Sequence, residues 1–403
     1  MSKATVFVLL TVVIDAIGIG LIIPVMPALL KEVAGGSLAN TSLWLGVLAS
    51  TFSLMQFLFG PVLGNLSDWL GRRPVMLTSL VVMAVDYVIM ALAGSVWLLL
   101  LGRVIGGITA ATHSTASAYI ADISEPDEKA ANFGLIGAAF GVGFVLGPMM
   151  GGLLAEFGTR TPFYAAAVLA AANAAFGYFV LTETVTDEIR RPFQWRRANP
   201  LGALRSLGKL PGLHGMLLVY FLYQIAFASY SSIWALYTGT RFGWSEQMIG
   251  LSLSIFGIAY ALVLGGLIRP ILRWLGERGA VIYGHLGDVV IFVLIAFIHS
   301  GTWLLVLTPL AALPGVITPA LQGIMSRRVS DDAQGELQGA ITSVTSIAMI
   351  PAPMIMTGVF AMFGTPDAAI YAPGAPFLLS AGLMMLALFL FLRVPRLEHV
   401  PKP

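Results

Sequence analysis

The sequence predicts an all-α membrane protein of twelve spanning helices in two six-helix bundles, residues 1–182 and 212–403, joined by a linker over 183–211. Three observations predict it. The chain is 58% hydrophobic and only 10% charged, where soluble domains carry roughly 25% charged residues, and its mean hydropathy is +0.88. Apolar runs of about 20 residues, the length that crosses a bilayer, recur throughout. The second half also repeats the first at a constant offset of 205 residues.

Span 1, 6–30, follows the N-terminus directly. It exceeds the roughly 7–15-residue apolar core of a cleavable signal peptide, so it reads as a retained helix. Spans 2 to 6 follow over 43–66, 74–95, 96–121, 131–155 and 162–182. Spans 7 to 12 occupy 212–238, 246–268, 279–299, 302–325, 335–363 and 374–393.

Lys and Arg concentrate on the cytoplasmic side of membrane proteins. With both termini inside, the cytoplasmic segments hold 18 of the 22 Lys and Arg. Among them are Lys3, Arg72, Arg73, Lys129, Arg269, Arg273, Arg278, Arg327, Arg328 and Arg393, and six in the linker: Arg190, Arg191, Arg196, Arg197, Arg205 and Lys209. The outer segments hold Lys31, Arg160 and Arg241, and Arg103 lies within span 4. Phe193 and Trp195 among the linker arginines suit either a segment on an anionic inner leaflet or a solvated connection.

The repeat aligns Gly60 with Gly265, Trp69-Leu70-Gly71 with Trp274-Leu275-Gly276, Arg73 with Arg278, Gly134 with Gly339 and Pro148 with Pro353. Two parallel six-span units are the organisation of a secondary transporter, with its site between the halves near the midplane. Three acids, Asp15, Asp86 and Asp288, fall well inside spans. A carboxylate at mid-bilayer costs about 2.5–3.5 kcal/mol on insertion scales, so such residues mark proton, ion or substrate paths. Asp15 and Asp86 also admit a structural reading, as neutral acids bonded to a neighbouring helix, and Asp86 with Arg103 admits a buried latch. His285 and Asp288, three apart, share a helix face and suit a proton relay or a substrate contact.

Two glycine-rich patterns stand out. The 2–3 connection reads Gly64-x-x-x-Asp68-x-x-Gly71-Arg72-Arg73. Gly64 suits close helix approach, Gly71 a tight turn, and Asp68 a pairing with arginine or a helix N-terminus, which together make a conformational switch. Span 5 carries Gly143-x-x-x-Gly147-Pro148-x-x-Gly151-Gly152, and span 4 carries Gly102-Arg103-x-x-Gly106-Gly107. The loop pattern fits the major facilitator superfamily, and the span 5 pattern resembles that of its proton-coupled drug antiporters. Span 1 (LTVVIDAIGIGLIIPVMP, 10–27) is similar to that of the tetracycline efflux proteins. So are Leu54-Met-Gln56-Phe, Asp86-Tyr-Val-Ile-Met-Ala, the 244–257 run, Pro319-Ala-Leu-Gln322 and the 331–339 run.

The resemblance covers about residues 5 to 350. It implies electroneutral exchange of a cationic metal–tetracycline chelate for a proton in a bacterial inner membrane, by a monomer. It implies no permanent cofactor, a divalent cation such as Mg²⁺ carried with the substrate, and proton-coupling roles for Asp15, Asp86, Asp288 and Arg103. Three positions depart from it: Tyr260 stands where the family has histidine, Thr112-His113-Ser114-Thr115 where it is small and glycine-rich, and His285 is added. These leave the substrate open.

Substrate contacts are expected at Gln56, His113, Gln224 and Gln322, and at an aromatic wall that includes Trp234 and Tyr260 and suits a flat cation. Belts and packing use the same aromatic residues. No phosphate-binding G-x-x-x-x-G-K loop appears, so the expected driving force is a gradient. A net charge of +2 does not suggest nucleic acid, the chain has no cysteine, and no nucleophile–base arrangement points to an enzyme. The reading is a proton-driven exporter of a tetracycline-like or other amphipathic cation. Its alternatives are a proton-linked carrier of another metabolite and a non-transporting receptor on the same scaffold.

Overall fold

The structure is a computed structural model. It describes residues 3–110, 112–125, 128–187, 190–195, 198–200, 212–330 and 333–395, and the side chains of His113 and Lys129 lie outside that description. Arg196, Arg197, Arg205 and Lys209 of the linker also lie outside it.

Among the described residues, eleven helical stretches are long and apolar enough to cross a membrane. The 52-residue stretch Glu246–Phe297 contains two spans, because its backbone turns at Gly276 (φ 65°, ψ 170°). Twelve spans result. Gly71, the repeat partner of Gly276, makes the same kind of turn between spans 2 and 3 (φ 114°, ψ 155°). Both sit in a region of positive φ that only glycine enters at low cost.

Five spans are interrupted; span 11 is one, and the other four are every third span. Span 1 runs Lys3–Ile22 and resumes at Met26–Ala34, with Pro24 in the break. Span 4 runs Val96–Thr109, then Thr112–Ile123. Span 7 runs His214–Phe227, then Ser229–Phe242. Span 10 runs Gly301–Leu310, a tight turn Leu313–Val316 holding Pro314, then Ile317–Ser326. A shift of 205 residues carries the first break onto Ala228 and the second onto Gly315. Discontinuous helices at equivalent positions of two repeats mark the central site of a transporter. Spans 2 (Leu38–Leu70), 3 (Arg72–Ala91), 5 (Lys129–Ala155), 6 (Thr161–Val180) and 12 (Ala375–Arg393) run unbroken. Span 8 (Glu246–Leu262) runs through a wide turn at Val263–Leu267 into span 9 (ending at Phe297), and span 11 is Gln334–Met349 and Pro351–Phe363.

The buried apolar residues form one cluster drawn from residues 213–391 and two drawn from residues 7–181. The halves meet along spans 5 and 8 and along spans 2 and 11. Those contacts lie away from the arginine-rich end. Gly152 abuts the backbone of Glu246 and Gln247, Gly250 abuts the Pro148 carbonyl, and Ser254 Oγ donates to Val145 O at 2.7 Å. Gly46 of span 2 sits against Thr357 and Met354 of span 11. Toward the arginine-rich end the same four spans stand apart. A methyl placed on Gly60, Gly64, Gly134, Gly137, Gly265, Gly335 or Gly339 would meet no atom of another described segment within 4 Å. Among the described residues, these spans thus pack together at one end and stand apart toward the arginine-rich end. Gly64 accordingly faces open space here instead of mediating the close helix approach expected from its motif.

Candidate functional site

In the N-terminal half, Asp86 of span 3 is 1% exposed and stands 3.4 Å from the Arg103 guanidinium of span 4. The glycine pattern around Arg103 makes this possible. A methyl on Gly102 would come within 2.7 Å of Asp86 Oδ1, and one on Gly106 within 2.6 Å of Oδ2. Only a helix face without side chains leaves room for a buried carboxyl there. Arg103 also reaches Met90 Sδ at 2.7 Å and lies over the Phe52 ring at 5.2 Å, a cation–π contact. Asp86 Oδ1 and Arg103 Nε have no hydrogen-bond partner among the described residues. The half-buried Asp15 of span 1 joins this group through Tyr87, whose hydroxyl lies within electrostatic reach of Asp15, Asp86 and Arg103. Gln56, exposed on span 2, donates to the Ala110 carbonyl at the break in span 4 (3.4 Å). His113 falls just beyond that break, with its side chain outside the described residues.

The C-terminal half is built differently. Asp288 of span 9 is 3% exposed and faces no cation among the described residues. Tyr223 and Tyr230 of span 7 and Tyr260 of span 8 all lie within its electrostatic reach. Their rings interlock with Phe227, Phe256 and Phe292 at centroid separations of 5.0–6.1 Å. Tyr260 fits because Gly315, in the break of span 10, leaves space for its ring. His285 is fully buried, with Nδ1 2.8 Å from Val281 O and its ring against Tyr223, and its Nε2 has no hydrogen-bond partner among the described residues. His285 and Asp288 share a buried helix face, yet no ion pair joins them among the described residues. Gln224 donates to Thr345 Oγ1 at 3.4 Å, and Gln322 is within hydrogen-bonding reach of Tyr220. Of the expected aromatic wall, Tyr260 is half-buried, its ring against Phe227 and Phe256, while Trp234 is 3% exposed with its indole N–H donating to Ser252 Oγ at 2.8 Å. Trp234 is thus packed within the bundle. Tyr220, Tyr223, Phe227 and Tyr230 escaped the sequence reading, although their i, i+3, i+7, i+10 spacing places them on one face of span 7.

The glycines of span 5 have two faces. Gly143, Gly147 and Gly151 lie against the span 1 backbone, where Gly147 would bring a methyl within 2.7 Å of Gly20 Cα. Gly152 turns to span 8, and Pro148 lies between the two, its ring against Gly20 of span 1 and its carbonyl against Gly250 of span 8.

At the arginine-rich end, Asp68 pairs with Arg72 at 2.6 Å, and Arg72 also binds Asp122 at 3.1 Å. Asp68 thus has the arginine partner expected of its motif, while Arg73 donates to Tyr178 O at 2.7 Å. Glu183 caps the start of span 3 by accepting from the Arg72 and Arg73 N–H groups (2.9 and 3.2 Å), and it fills the space beside Gly71. All these partners belong to one half, so the cluster does not bridge the halves in this conformation. The other half carries Glu277 paired with Arg327. A 205-residue shift carries Arg72 onto Glu277 and Asp122 onto Arg327, so the second pair repeats the first with its polarity exchanged.

The profile of the Major Facilitator Superfamily matches residues 8–353. The chain belongs to that superfamily. It is 42% identical over 361 residues to the tetracycline resistance protein, class C, of Escherichia coli, covering 89% of this chain and 90% of that protein. Among solved structures, the human organic anion transporter MFSD10 superposes with a TM-score of 0.70 at 28% identity, covering 96% of this chain and 99% of the other. The nucleoside transporter NupG superposes with a TM-score of 0.77 at 14% identity, covering 99% and 100%, which speaks for the fold alone. This superfamily member is a multi-pass membrane transporter of small molecules, not an enzyme.

Proposed function

We propose that this protein exports a tetracycline-like or other amphipathic cationic drug across a bacterial inner membrane in exchange for protons, by alternating access. One observation carries the reading: Asp15, Asp86 and Asp288 lie within membrane-spanning helices of a chain 42% identical to a tetracycline resistance protein. The positive-inside bias puts the arginine-rich, open end in the cytoplasm, so the conformation is inward-facing. The acids lie in both halves, Asp15 and Asp86 in one and Asp288 in the other, and the guanidinium of Arg103 is already matched by Asp86. Magnesium would travel as part of the cargo. Closing the arginine-rich end and parting spans 5 and 8 would turn the site outward, as rocking of two repeats requires.

The test is a drug-susceptibility panel in an efflux-deficient bacterium with and without expression. The reading expects at least a fourfold rise in the tetracycline inhibitory concentration, lost when the proton gradient is collapsed. No protection against any cationic drug, with altered movement of an organic anion instead, would transfer the reading to the chemistry named for MFSD10.

A further inference from the structure

Spans 3 and 6 pack side by side and leave a groove on their outer face. The halves meet along other spans, so this face is turned to the bilayer. Leu77, Val81 and Val85 of span 3 line one wall, and Ala171, Ala175 and Tyr178 of span 6 line the other, around a volume of about 480 Å³. The alanines make the space, because a methyl is all that span 6 presents there. Val81, Val85, Ala175 and Tyr178 are exposed. From Leu77 to Val85 the groove follows the helix for about 12 Å, most of the roughly 15 Å between a leaflet surface and the bilayer centre.

Arg73, Leu77, Val81 and Val85 follow one another at i, i+4 intervals, so Arg73 stands at the arginine-rich end of the same face. Its guanidinium lies over the Tyr178 ring at 5.4 Å and donates to Tyr178 O at 2.7 Å. No carboxylate pairs with it, and its Nε meets no acceptor, among the described residues. Neighbouring Arg72 is matched by Asp68 and Asp122, and Glu183 accepts from backbone N–H groups. An unmatched cation therefore heads an apolar groove about one leaflet deep.

The other half fills the equivalent space. Arg278, the repeat partner of Arg73, lies over the Phe391 ring at 4.9 Å and donates to Phe391 O at 3.4 Å. Matching Phe391 with Tyr178 puts Met384 and Leu388 where the first half has Ala171 and Ala175, and both are buried.

We propose that this groove binds an anionic phospholipid of the cytoplasmic leaflet, with one acyl chain along span 3 and the phosphate held by Arg73 beside the Tyr178 ring. The planar guanidinium fork matches a phosphate. A zwitterionic headgroup would bring a second cation to an end that already holds one, so net negative charge is favoured. The positive-inside bias puts that end in the leaflet that carries anionic lipid. Such a lipid would bind whatever cargo the protein carries, since no residue of the groove belongs to the cation or proton sites described above.

The chain has no cysteine, so a single fluorescent label can be placed beside the groove. Val88→Cys lies about one turn beyond Val85, and Val293→Cys is its repeat partner on span 9, similarly exposed (39% and 37%). The labelled full-length protein is reconstituted in dioleoylphosphatidylcholine bilayers. Brominated-acyl phosphatidylglycerol or brominated-acyl phosphatidylcholine then replaces increasing fractions of the lipid, and quenching of the label is read. At Val88 the anionic lipid is expected to compete about fivefold better, the size of one arginine's attraction to an anionic membrane surface. At Val293 the two lipids should quench equally. Arg73→Gln should remove the preference at Val88. So should Ala175→Leu, which fills the groove from an exposed position and leaves the packing between helices intact. Equal quenching by the two lipids at Val88 in the protein without these replacements overturns the site. A preference of the same size at Val293 is attraction to the surface as a whole and also overturns it. So does a Val88 preference that survives either replacement; should Arg73→Gln fail to insert, Ala175→Leu decides alone.

Discussion

Asp86 in one half stands 3.4 Å from a guanidinium that a glycine-lined helix face brings to it, whereas Asp288 in the other half is enclosed by aromatic rings and meets no cation among the described residues. The repeat does not relate these sites. A 205-residue shift takes Asp86 to Ile291 and Arg103 to Thr308, whose hydroxyl is spent on the Leu304 carbonyl. The duplicated frame, with its breaks and turn glycines, is common to both halves, while the chemistry inside each half is its own. The arginine-rich rims show a third outcome: the ion pair is kept at equivalent positions with its polarity exchanged. A buried ion pair is costly to half-dismantle, which suits Asp86 to a fixed role and Asp288 to gaining and losing a proton.

The largest effect should come from Asp288→Asn. It is expected to abolish tetracycline resistance entirely and to stop proton release on drug binding, with the protein still folded by thermal melting. Resistance kept by Asp288→Asn and lost by Asp86→Asn would reverse the assignment of roles.

Arg103→Ala should act mainly on stability. It leaves Asp86 buried without its cation, a defect of about 3–5 kcal/mol by analogy with other buried pairs. The double replacement Asp86→Asn with Arg103→Gln should be milder than Arg103→Ala alone. Melting curves in detergent for the three proteins decide it, and equal loss in all three would mean that the pair contributes only packing.

A smaller effect separates glycines that look alike in sequence. Gly106→Ala places a methyl 2.6 Å from Asp86 Oδ2 and should cost about 1–3 kcal/mol through overpacking. Gly64→Ala meets no atom of another described segment within 4 Å and should stay within about 0.5 kcal/mol of wild type. Equal melting shifts would contradict the cradle drawn around Asp86.

The rims should respond least, because partly exposed ion pairs are worth about 0–1 kcal/mol. Glu277→Gln is expected to lower turnover in proteoliposomes by no more than about fivefold with affinity unchanged. Exchanging the charges, Glu277→Arg with Arg327→Glu, should restore it. If the exchanged pair is as slow as the single variant, the polarity itself matters, and the inversion between halves becomes a requirement of the gate.

Hydropathy, charge bias and repeat spacing are properties of the chain alone. They determined the number of spans, the 205-residue repeat, the turn glycines Gly71 and Gly276, and the three acids inside spans. The major facilitator resemblance read from the loop and span 5 patterns agrees with the matched profile. What only the tertiary structure decided is which way each helix face turns. In water an apolar stripe tells a helix its inner side, but in lipid the outer side is equally apolar, so that signal is lost. That is why Trp234 reads as a wall residue and proves to be packed away, and why the tyrosines around Asp288 pass unnoticed beside it. The same limit applies to partners drawn from different helices. Asp68 finds its arginine in Arg72, and Asp122 of span 4 and Glu183 beyond span 6 complete the cluster from far along the chain. Which end is open is decided last and at the greatest sequence separation, by whether spans 2, 5, 8 and 11 touch at one end or the other.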